Sequence, residues 1–462
     1  MLSLGSLSRP LLPWSGARRD RPVRRRPGRL VVLGFAAAIG VGAVLLMLPV
    51  ATTGRAATPL EALFTATSAA CVTGLVVVDT PTFWTPFGQV VILALIQLGG
   101  FGVMTVASLL GLLISRRLDL NTRMVAQAST RSVQLGDVRS VLVGVLRVTV
   151  AVEGSVALVV AGRLMAGYGA SPGEAAWGGV FHAVSAFNNA GFALYSDSLV
   201  TFVADPWICV PLCLAVILGG IGFPVIFELY RHRRAKPARW SLHTKLTLLT
   251  TSILLAAGTA LFLVLEWANP HTLGPLSVAG KILGAFTQSV MARTAGFNSV
   301  DTSAMNDGTW LGTDVLMFIG GGSAGTAGGI KVVTFVVLAF VIWSELRGDP
   351  DVDAFDRRIA PATQRQAVTV ALLGVAAVLV PTLVITATSH HGLDRVLFEV
   401  TSAFSTTGLS TGITADLAGP HQLLLVALMF LGRLGPITLG TALALRERPR
   451  LFRRPESAAI IG

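Results

Sequence analysis

Residues 64–75 read FTATSAACVTGL, and three later stretches repeat this pattern in register. They are FHAVSAFNNAGF at 181–192, FTQSVMARTAGF at 286–297 and FEVTSAFSTTGL at 398–409. In each copy a Phe lies ten positions before a Gly, and a Leu or Phe follows that Gly. The copies recur at intervals of roughly one hundred residues, far longer than the repeat of a solenoid. The register therefore predicts four related structural units.

The composition is that of an integral membrane protein. Of the 462 residues 53% are hydrophobic and only 13% are charged, and the mean hydropathy is +0.70. A soluble chain carries about 25% charged residues. Apolar runs long enough to cross about 30 Å of hydrocarbon recur along the chain. The sequence therefore predicts a multi-pass protein of the cell membrane, with the lipid bilayer as its solvent.

Basic residues are spaced in a way that predicts the orientation in the membrane. Of the 36 lysines and arginines, 28 lie in five segments, which are 1–29, 116–139, 231–245, 345–365 and 446–454. Cytoplasmic loops carry such an excess of positive charge, so both termini are predicted to be cytoplasmic. This alternation also argues against nucleic acid as a partner. Five further basic residues are assigned to the intervening polar stretches: Arg55, Arg163, Lys281, Arg293 and Arg395.

The glycine register and the charge pattern predict one architecture, an all-α polytopic fold of four helix–pore-loop–helix repeats around a central pore. It has eight transmembrane helices and four re-entrant pore segments. The first helices of the repeats are predicted at 30–50, 140–163, 246–267 and 367–389, and the second helices at 87–115, 207–230, 311–345 and 421–445.

The same prediction divides the chain into nine segments. These are an Arg- and Pro-rich cytoplasmic tail predicted to be disordered (1–29), repeat 1 (30–115), a cytoplasmic loop (116–139), repeat 2 (140–230), a cytoplasmic loop (231–245), repeat 3 (246–345), a cytoplasmic loop interpreted as a solvated linker (346–366), repeat 4 (367–445) and a cytoplasmic tail (446–462).

The ends of the four pore segments are the predicted ion-binding residues. Non-helical backbone at membrane depth needs protein or water to satisfy it, and an aqueous path provides that water. These ends contain no carboxylate, so they would bind a weakly hydrated monovalent cation through backbone carbonyls. The alternative is that the glycines only permit close helix packing. The predicted selectivity filter is Val72, Thr73, Gly74, Asn189, Ala190, Gly191, Thr294, Ala295, Gly296, Thr406, Thr407 and Gly408.

A second glycine-rich stretch predicts a gate below that filter. Residues 320–329 read GGGSAGTAGG, and so many glycines cannot hold a straight helix in mid-membrane. Arg433 lies at the same level of the fourth repeat, where it would either bind the carbonyls of this loop or repel cations. Lys331 is predicted to extend to the cytoplasmic side. The predicted gate is Gly320, Gly321, Gly322, Ser323, Ala324, Gly325, Thr326, Ala327, Gly328, Gly329 and Arg433.

At this point the chain resembles the Trk/Ktr/HKT superfamily of potassium transporters. The stretches AACVTGLVVVD (69–79), FNNAGF (187–192), ARTAGFN (292–298) and STTGLS (405–410) resemble the four filter signatures of that family. FLGRLGP (430–436) resembles its fourth-repeat arginine motif, and 320–329 its intramembrane gating loop. The resemblance covers about residues 30–462 and is strongest to the membrane subunit of Ktr systems.

The resemblance implies a K⁺-translocating, channel-like subunit that takes up K⁺ and catalyses no covalent chemistry. It also implies a homodimer and a cytoplasmic ring of nucleotide-binding regulatory subunits of the regulator-of-K⁺-conductance type. The chain lacks the extra helix pair that Trk-type members carry before the first repeat, and its tail resembles the Ktr ending. The Arg-rich head departs from the family pattern.

Two other functions remain open on the residues themselves. The first is a K⁺ transporter coupled to Na⁺ or H⁺, with Na⁺ as activator or co-ion. Only Glu153 is recognised as a mid-span carboxylate, which argues against proton coupling. The second is a membrane enzyme, but the seven histidines are scattered, and Cys71, Cys209 and Cys213 form no disulfide or zinc pattern. No cofactor and no nucleotide site are predicted in this chain.

Overall fold

The computed structural model describes residues 27–115, 136–232 and 239–444. The C-terminal tail, nearly all of the N-terminal tail, most of the 116–139 loop and part of the 231–245 loop lie outside the described residues. The helices of the first two repeats are α1 (Pro27–Leu46), α2 (Pro59–Ala70), α3 (Thr80–Phe83), α4 (Pro86–Ser115), α5 (Gly136–Tyr168), α6 (Pro172–Phe187), α7 (Pro206–Ile221) and α8 (Phe223–Arg231). The helices of the last two are α9 (Leu242–Glu266), α10 (Val278–Met291), α11 (Asp307–Phe318), α12 (Val332–Arg347), α13 (Pro361–Thr388), α14 (Leu393–Ser405) and α15 (Gly419–Ala444).

The four short helices α2, α6, α10 and α14 carry the repeated pattern and are called the pore helices here. Local sequence explains where the first two begin, because Thr58 with Glu61 and Ser171 with Glu174 form capping boxes. The pore helices contain 12, 16, 14 and 13 residues. At 1.5 Å per residue they are about 18–24 Å long, shorter than the hydrocarbon layer of about 30 Å. A pore helix therefore cannot cross a bilayer.

In the described part of the chain three helices are long and apolar enough to cross a membrane, namely Leu142–Tyr168, Leu242–Glu266 and Pro361–Thr388. A fourth span results if α7 and α8 are counted together, although the chain bends by 96° between them. Val31–Leu46 and Pro86–Gly102 are apolar but shorter. Within the described residues the chain is thus a helical membrane protein, and the count of eight spans remains a prediction.

Two of the predicted second helices are interrupted. The predicted helix at 207–230 ends at Ile221 and restarts at Phe223, and the one at 311–345 is open between Phe318 and Val332. The first break has a steric cause. Gly222 adopts a φ of +99°, and a Cβ there would meet the carbonyl oxygen of Ser323. Glycine at that position lets the third repeat's loop approach the backbone of the second repeat.

The repeats pack against one another in a closed order. Contacts join α4 to α6, α7 to α10, α11 to α14, and α15 to both α1 and α2. The pore helices lie at the centre, where Phe64, Phe181 and Phe398 have no exposed surface. These are three of the four Phe residues of the repeated pattern, and Phe286 is half-buried. The repeat therefore marks the innermost layer of the protein.

The segment predicted as a solvated linker between the third and fourth repeats is folded. Asp353–Ala354 pairs with Arg357–Arg358 in a two-residue antiparallel hairpin. Val352, Ala354 and Ile359 are buried in a cluster that includes Leu246 of α9 and Val337 of α12. These apolar residues hold the segment against the helices, which the density of charges in the sequence concealed.

Candidate ion pathway

Each pore helix is followed by the same unusual backbone. Val72, Asn189, Thr294 and Thr406 have φ values of 56°, 58°, 66° and 49°, and the glycines two positions later have φ values of 93°, 71°, 77° and 100°. Left-handed backbone is uncommon for residues other than glycine and is strained for a β-branched one. The same strain at four matching positions indicates one shared geometry.

The pore helices bind the amide groups of these segments. The N–H groups of Thr73, Ala190 and Thr407 donate to carbonyls of Ser68, Ser185 and Ser402 at 2.7, 2.7 and 2.9 Å. In the third repeat the Ala295 N–H donates to the carbonyl of Met291 at 3.0 Å. The Ser68 and Ser402 hydroxyls accept from the next amides, those of Gly74 and Gly408, at 3.1 and 3.0 Å. In a trans peptide the C=O lies opposite the N–H. The carbonyl of each of these bonded peptide units therefore points away from the pore helix.

The four glycines form a closed ring of contacts. A Cβ on Gly74 would lie 2.5 Å from the carbonyl oxygen of Ala190, and one on Gly191 would lie 2.7 Å from that of Ala295. A Cβ on Gly296 would collide with the carbonyl oxygen of Thr407, and one on Gly408 with that of Thr73. Each segment therefore rests against the next, and the fourth returns to the first.

This ring brings together the residues predicted as the filter. They lie on the four segments in the groups Val72, Thr73 and Gly74; Asn189, Ala190 and Gly191; Thr294, Ala295 and Gly296; and Thr406, Thr407 and Gly408. The eight that are not glycine are at most 1% exposed, and the four glycines are also buried. A ring of carbonyls without carboxylates can replace the hydration shell of a monovalent cation.

The glycine-rich loop 320–329 interrupts the third repeat beside this ring. The Gly322 N–H donates to the carbonyl of Gly220 at 2.7 Å, and the Thr326 N–H donates to that of Gly219 at 3.0 Å. The Thr326 hydroxyl donates to the side-chain oxygen of Asn189 at 2.7 Å. The loop is thus bound to the broken helix of the second repeat and to a residue of the predicted filter.

Arg433 reaches the same loop from the fourth repeat. Its side chain is buried, and its Nη1 donates to the carbonyl oxygen of Thr326. Its Nη2 donates to the carbonyl of Gly99 at 3.3 Å. Among the described residues no carboxylate forms a salt bridge with this guanidinium. The charge of Arg433 is therefore solvated by backbone carbonyls, one of which belongs to the predicted gate.

Arg293 is a loop contact that sequence reasoning missed. The sequence pattern assigns it to a polar stretch between helices, but it is only 7% exposed. Its Nη2 donates to the carbonyl of Gly320 at 3.2 Å, and its Nη1 donates to that of Thr251 at 3.3 Å. A signal was available, because Arg293 is the only lysine or arginine within the four aligned copies.

Lys331 also contacts the loop. Its extension toward the cytoplasmic side stays a prediction, and its Nζ donates to the carbonyl of Ala327 at 2.5 Å. The loop therefore has three basic partners, Arg293 at Gly320, Arg433 at Thr326 and Lys331 at Ala327. The eleven residues predicted as the gate are brought together here: Gly320, Gly321, Gly322, Ser323, Ala324, Gly325, Thr326, Ala327, Gly328, Gly329 and Arg433.

Buried carboxyls are more numerous than the sequence indicated. Glu153 is half-buried, whereas Asp314 of α11 and Glu399 of α14 are buried, at 7% and 1% exposure. Glu399 accepts from the Thr411 amide at 2.8 Å and from the hydroxyls of Ser410 and Thr414 at 2.6 and 2.8 Å. These partners follow Gly408 in the chain, so Glu399 stabilises the backbone that comes directly after the fourth pore segment. Hydroxyl partners of this kind give no charge pattern in a sequence.

The whole chain can be compared with known families. A family model described as "TrkH: Cation transport protein" matches residues 10–454. Over 440 residues the chain is 40% identical to the Ktr system potassium uptake protein B of Bacillus subtilis, covering 95% of this chain and 98% of that one. It is 39% identical to the Ktr system potassium uptake protein B of Vibrio alginolyticus, covering 96% and 97%.

Two further comparisons are informative. The potassium/sodium uptake protein NtpJ of Enterococcus hirae is 34% identical over 451 residues, covering 95% of this chain and 98% of that one. Among solved structures, the potassium transporter TrkH of Vibrio parahaemolyticus superposes with a TM-score of 0.69 at 17% identity, covering 92% of this chain and 86% of that one. The structural match shows that the fold is shared.

Proposed function

Because this chain belongs to the TrkH family of cation transport proteins, we propose that it is the ion-translocating membrane subunit of a potassium uptake system. In this proposal K⁺ passes through a selectivity filter formed by the ring of four glycine-containing segments. The transported ion is the substrate, and the chain holds no cofactor of its own.

The ring of carbonyls carries this proposal. Four backbone carbonyls, from Thr73, Ala190, Ala295 and Thr407, each lie against a glycine of the neighbouring segment. Carbonyl dipoles compensate the dehydration of K⁺ at lower cost than that of a small divalent ion. The pore helices add to this, since their negative C-terminal ends lie next to the ring.

Residues 320–329 with Arg433 are proposed as the gate. The glycines make the loop deformable, and the closed state is the hydrogen-bonded one described above. Arg293 is added to this gate because its guanidinium binds Gly320, at the point where the loop leaves α11. Breaking these hydrogen bonds favours a state in which the loop leaves the axis, because they exist mainly in the closed state.

The proposed assembly is a homodimer in the cell membrane with both termini in the cytoplasm. The Bacillus and Vibrio alginolyticus relatives are named as parts of a Ktr system, which supports a multi-subunit assembly. A cytoplasmic ring of nucleotide-binding regulatory subunits is the proposed partner. It would dock on the basic loops that face the cytoplasm, whose charge favours an acidic surface.

A Na⁺-coupled or Na⁺-permeable transporter is the second candidate. The observation that favours it is the Enterococcus relative, which is named for uptake of both potassium and sodium. Such a function would use the same ring of carbonyls. The two candidates therefore differ in whether Na⁺ is transported or required, and not in the residues involved.

Ion flux in proteoliposomes tests both candidates. Purified chain is reconstituted, and K⁺ uptake is measured with Na⁺ inside, outside, on both sides or absent, against empty liposomes. The leading proposal expects K⁺ uptake in every condition, driven by the K⁺ gradient and the membrane potential alone. Uptake that requires a Na⁺ gradient favours the second candidate. Because the hydrogen-bonded loop is proposed as the closed state, Arg433→Ala is measured beside the wild type. No cation flux above empty liposomes in either protein, with both shown to be folded, overturns both candidates.

A further inference from the structure

We propose that Glu153 is a proton-binding site in mid-membrane whose protonation regulates the pore through Asn188 and the second filter segment. This inference rests on the proposed function, because it assigns a regulatory ligand to the same ion pathway. It differs from the loop gate, since the group that binds the ligand lies on α5, outside the ring.

The position of Glu153 is unusual for a carboxylate. It lies near the middle of the apolar span Leu142–Tyr168, and its side chain is half-buried. Its hydrogen-bond partners among the described residues are two neutral amides. Asn188 Nδ2 donates to Glu153 Oε1 at 3.1 Å, and Gln97 Nε2 donates to Glu153 Oε2 at 3.4 Å. A mid-membrane carboxylate without a cationic partner marks a functional site.

On the elements packed against α5, the titratable groups with a described hydrogen-bond partner bind residues other than Glu153. The described side chains of α4 include no charged residue. On α6, Glu174 caps the helix start and His182 bonds to the carbonyl of Gly178. Before α7, Asp205 pairs with Arg163 at the far end of α5, and the thiols of Cys209 and Cys213 are buried. On α8, Glu228 binds Ser241 and Thr244.

Protonation changes the hydrogen bonds that Glu153 makes. The ionised carboxylate accepts from the two amides, and bonds to an ionised acceptor are stronger than neutral ones. The protonated carboxyl becomes a donor and loses the charge that strengthens these contacts. Proton binding therefore weakens the hydrogen bonds from Asn188 and Gln97.

Asn188 connects this network to the pore. It is the residue that ends pore helix α6, and it immediately precedes Asn189, Ala190 and Gly191. Asn189 in turn accepts the hydrogen bond from Thr326 of the glycine-rich loop. Ionised Glu153 holds the Asn188 amide firmly, and protonation weakens that contact. Proton binding therefore loosens the second filter segment and its bond to the loop.

The test compares K⁺ flux of wild type and Glu153→Gln in proteoliposomes between about pH 5 and about pH 9. The amide mimics the protonated state. Wild-type flux is expected to rise about fivefold from alkaline to acidic buffer, as expected for the loss of one charge-assisted contact. Glu153→Gln is expected to show the acidic level throughout, and Glu153→Asp to shift the midpoint. Glu174→Gln, on the exposed start of the same pore helix, is the matched control and should keep the wild-type profile.

Three results overturn the proton site. The first is a Glu153→Gln profile equal to that of wild type, and the second is a Glu174→Gln profile that changes as much as the Glu153 variants. In the third, flux depends on Glu153 only when Na⁺ is present, which identifies a Na⁺ site instead. Absence of K⁺ flux at every pH contradicts the proposed function. In that case a second measurement tests the proton site. That measurement follows the infrared band of a protonated carboxyl, expected to titrate in wild type and Glu174→Gln and to be smaller in Glu153→Gln.

Discussion

Arg433 and Arg293 bind the same glycine-rich loop at two different carbonyls. Arg433 of the fourth repeat donates to the carbonyl of Thr326, and Arg293 of the third donates to the carbonyl of Gly320 at 3.2 Å. In both guanidinium groups the Nε has no hydrogen-bond partner among the described residues. The two buried guanidinium groups thus depend on one loop for part of their solvation. A movement of the loop therefore changes the free energy of both buried charges.

Removal of Arg433 is expected to open the gate. A hydrogen bond to a charged group contributes about 1.5–3 kcal/mol, so Arg433→Ala should raise K⁺ flux without the regulatory partner by about tenfold or more. Selectivity should change little, because the carbonyl ring is untouched. Flux is normalised to protein recovered in the membrane, and Arg395→Ala, on an exposed arginine, is the control. A folded Arg433→Ala variant with unaltered or lower flux removes Arg433 from the gate.

Arg293 and Arg433 are expected to act on one equilibrium. Arg293→Gln should also raise flux, and the effect of the double substitution should be smaller than the product of the two single effects, since the loop can open only once. The measurement is a double-mutant cycle on flux without the regulator. Strictly multiplicative effects would contradict coupling between the two arginines, since independent contacts add their free energies.

Gly74→Ser is expected to weaken discrimination between K⁺ and Na⁺. Gly74 has a φ of +93°, and a Cβ there would meet the carbonyl of Ala190. The clash would displace that carbonyl from the ring, and about 1.4 kcal/mol less preference for K⁺ corresponds to a loss of selectivity of about tenfold. Competition binding of K⁺ against Na⁺ measures the ratio.

Gly54→Ser is the matched control for this substitution. Gly54 has a φ of +89°, nearly that of Gly74, but no neighbouring atom lies within 4 Å of the position that a Cβ would occupy there. The variant should therefore lose a similar amount of backbone stability and keep its selectivity. Equal selectivity in wild type and both variants contradicts the filter assignment.

The isolated chain is expected to bind neither ATP nor NAD at micromolar concentration. Residues 320–329 are rich in glycine, but they connect helices α11 and α12 and follow no strand among the described residues, unlike a dinucleotide-binding loop. Isothermal titration of the purified chain measures this, with the regulatory partner added as a positive control. Micromolar binding without the partner contradicts the prediction.

The structure of the repeated segments was easier to predict from the sequence than the contacts between residues far apart in the chain. The ring could be expected because four copies of one pattern imply four copies of one structure. Arg293 was misplaced because its partners, Gly320 and Thr251, lie on two other elements and carry no charge. The close approach at Gly222 involves Ser323, which lies about one hundred residues later in the chain. Such contacts leave no local periodicity to recognise.

The closing contact of the ring joins Gly408 to Thr73, the last pore segment to the first. During synthesis the first pore segment therefore lacks its contact with the fourth segment until most of the chain has been made. A shortened chain that stops before the fourth repeat would lack one wall of the pathway entirely. In the proposed filter, ion selectivity is consequently acquired at the end of folding, and premature termination is expected to yield a product that cannot conduct selectively.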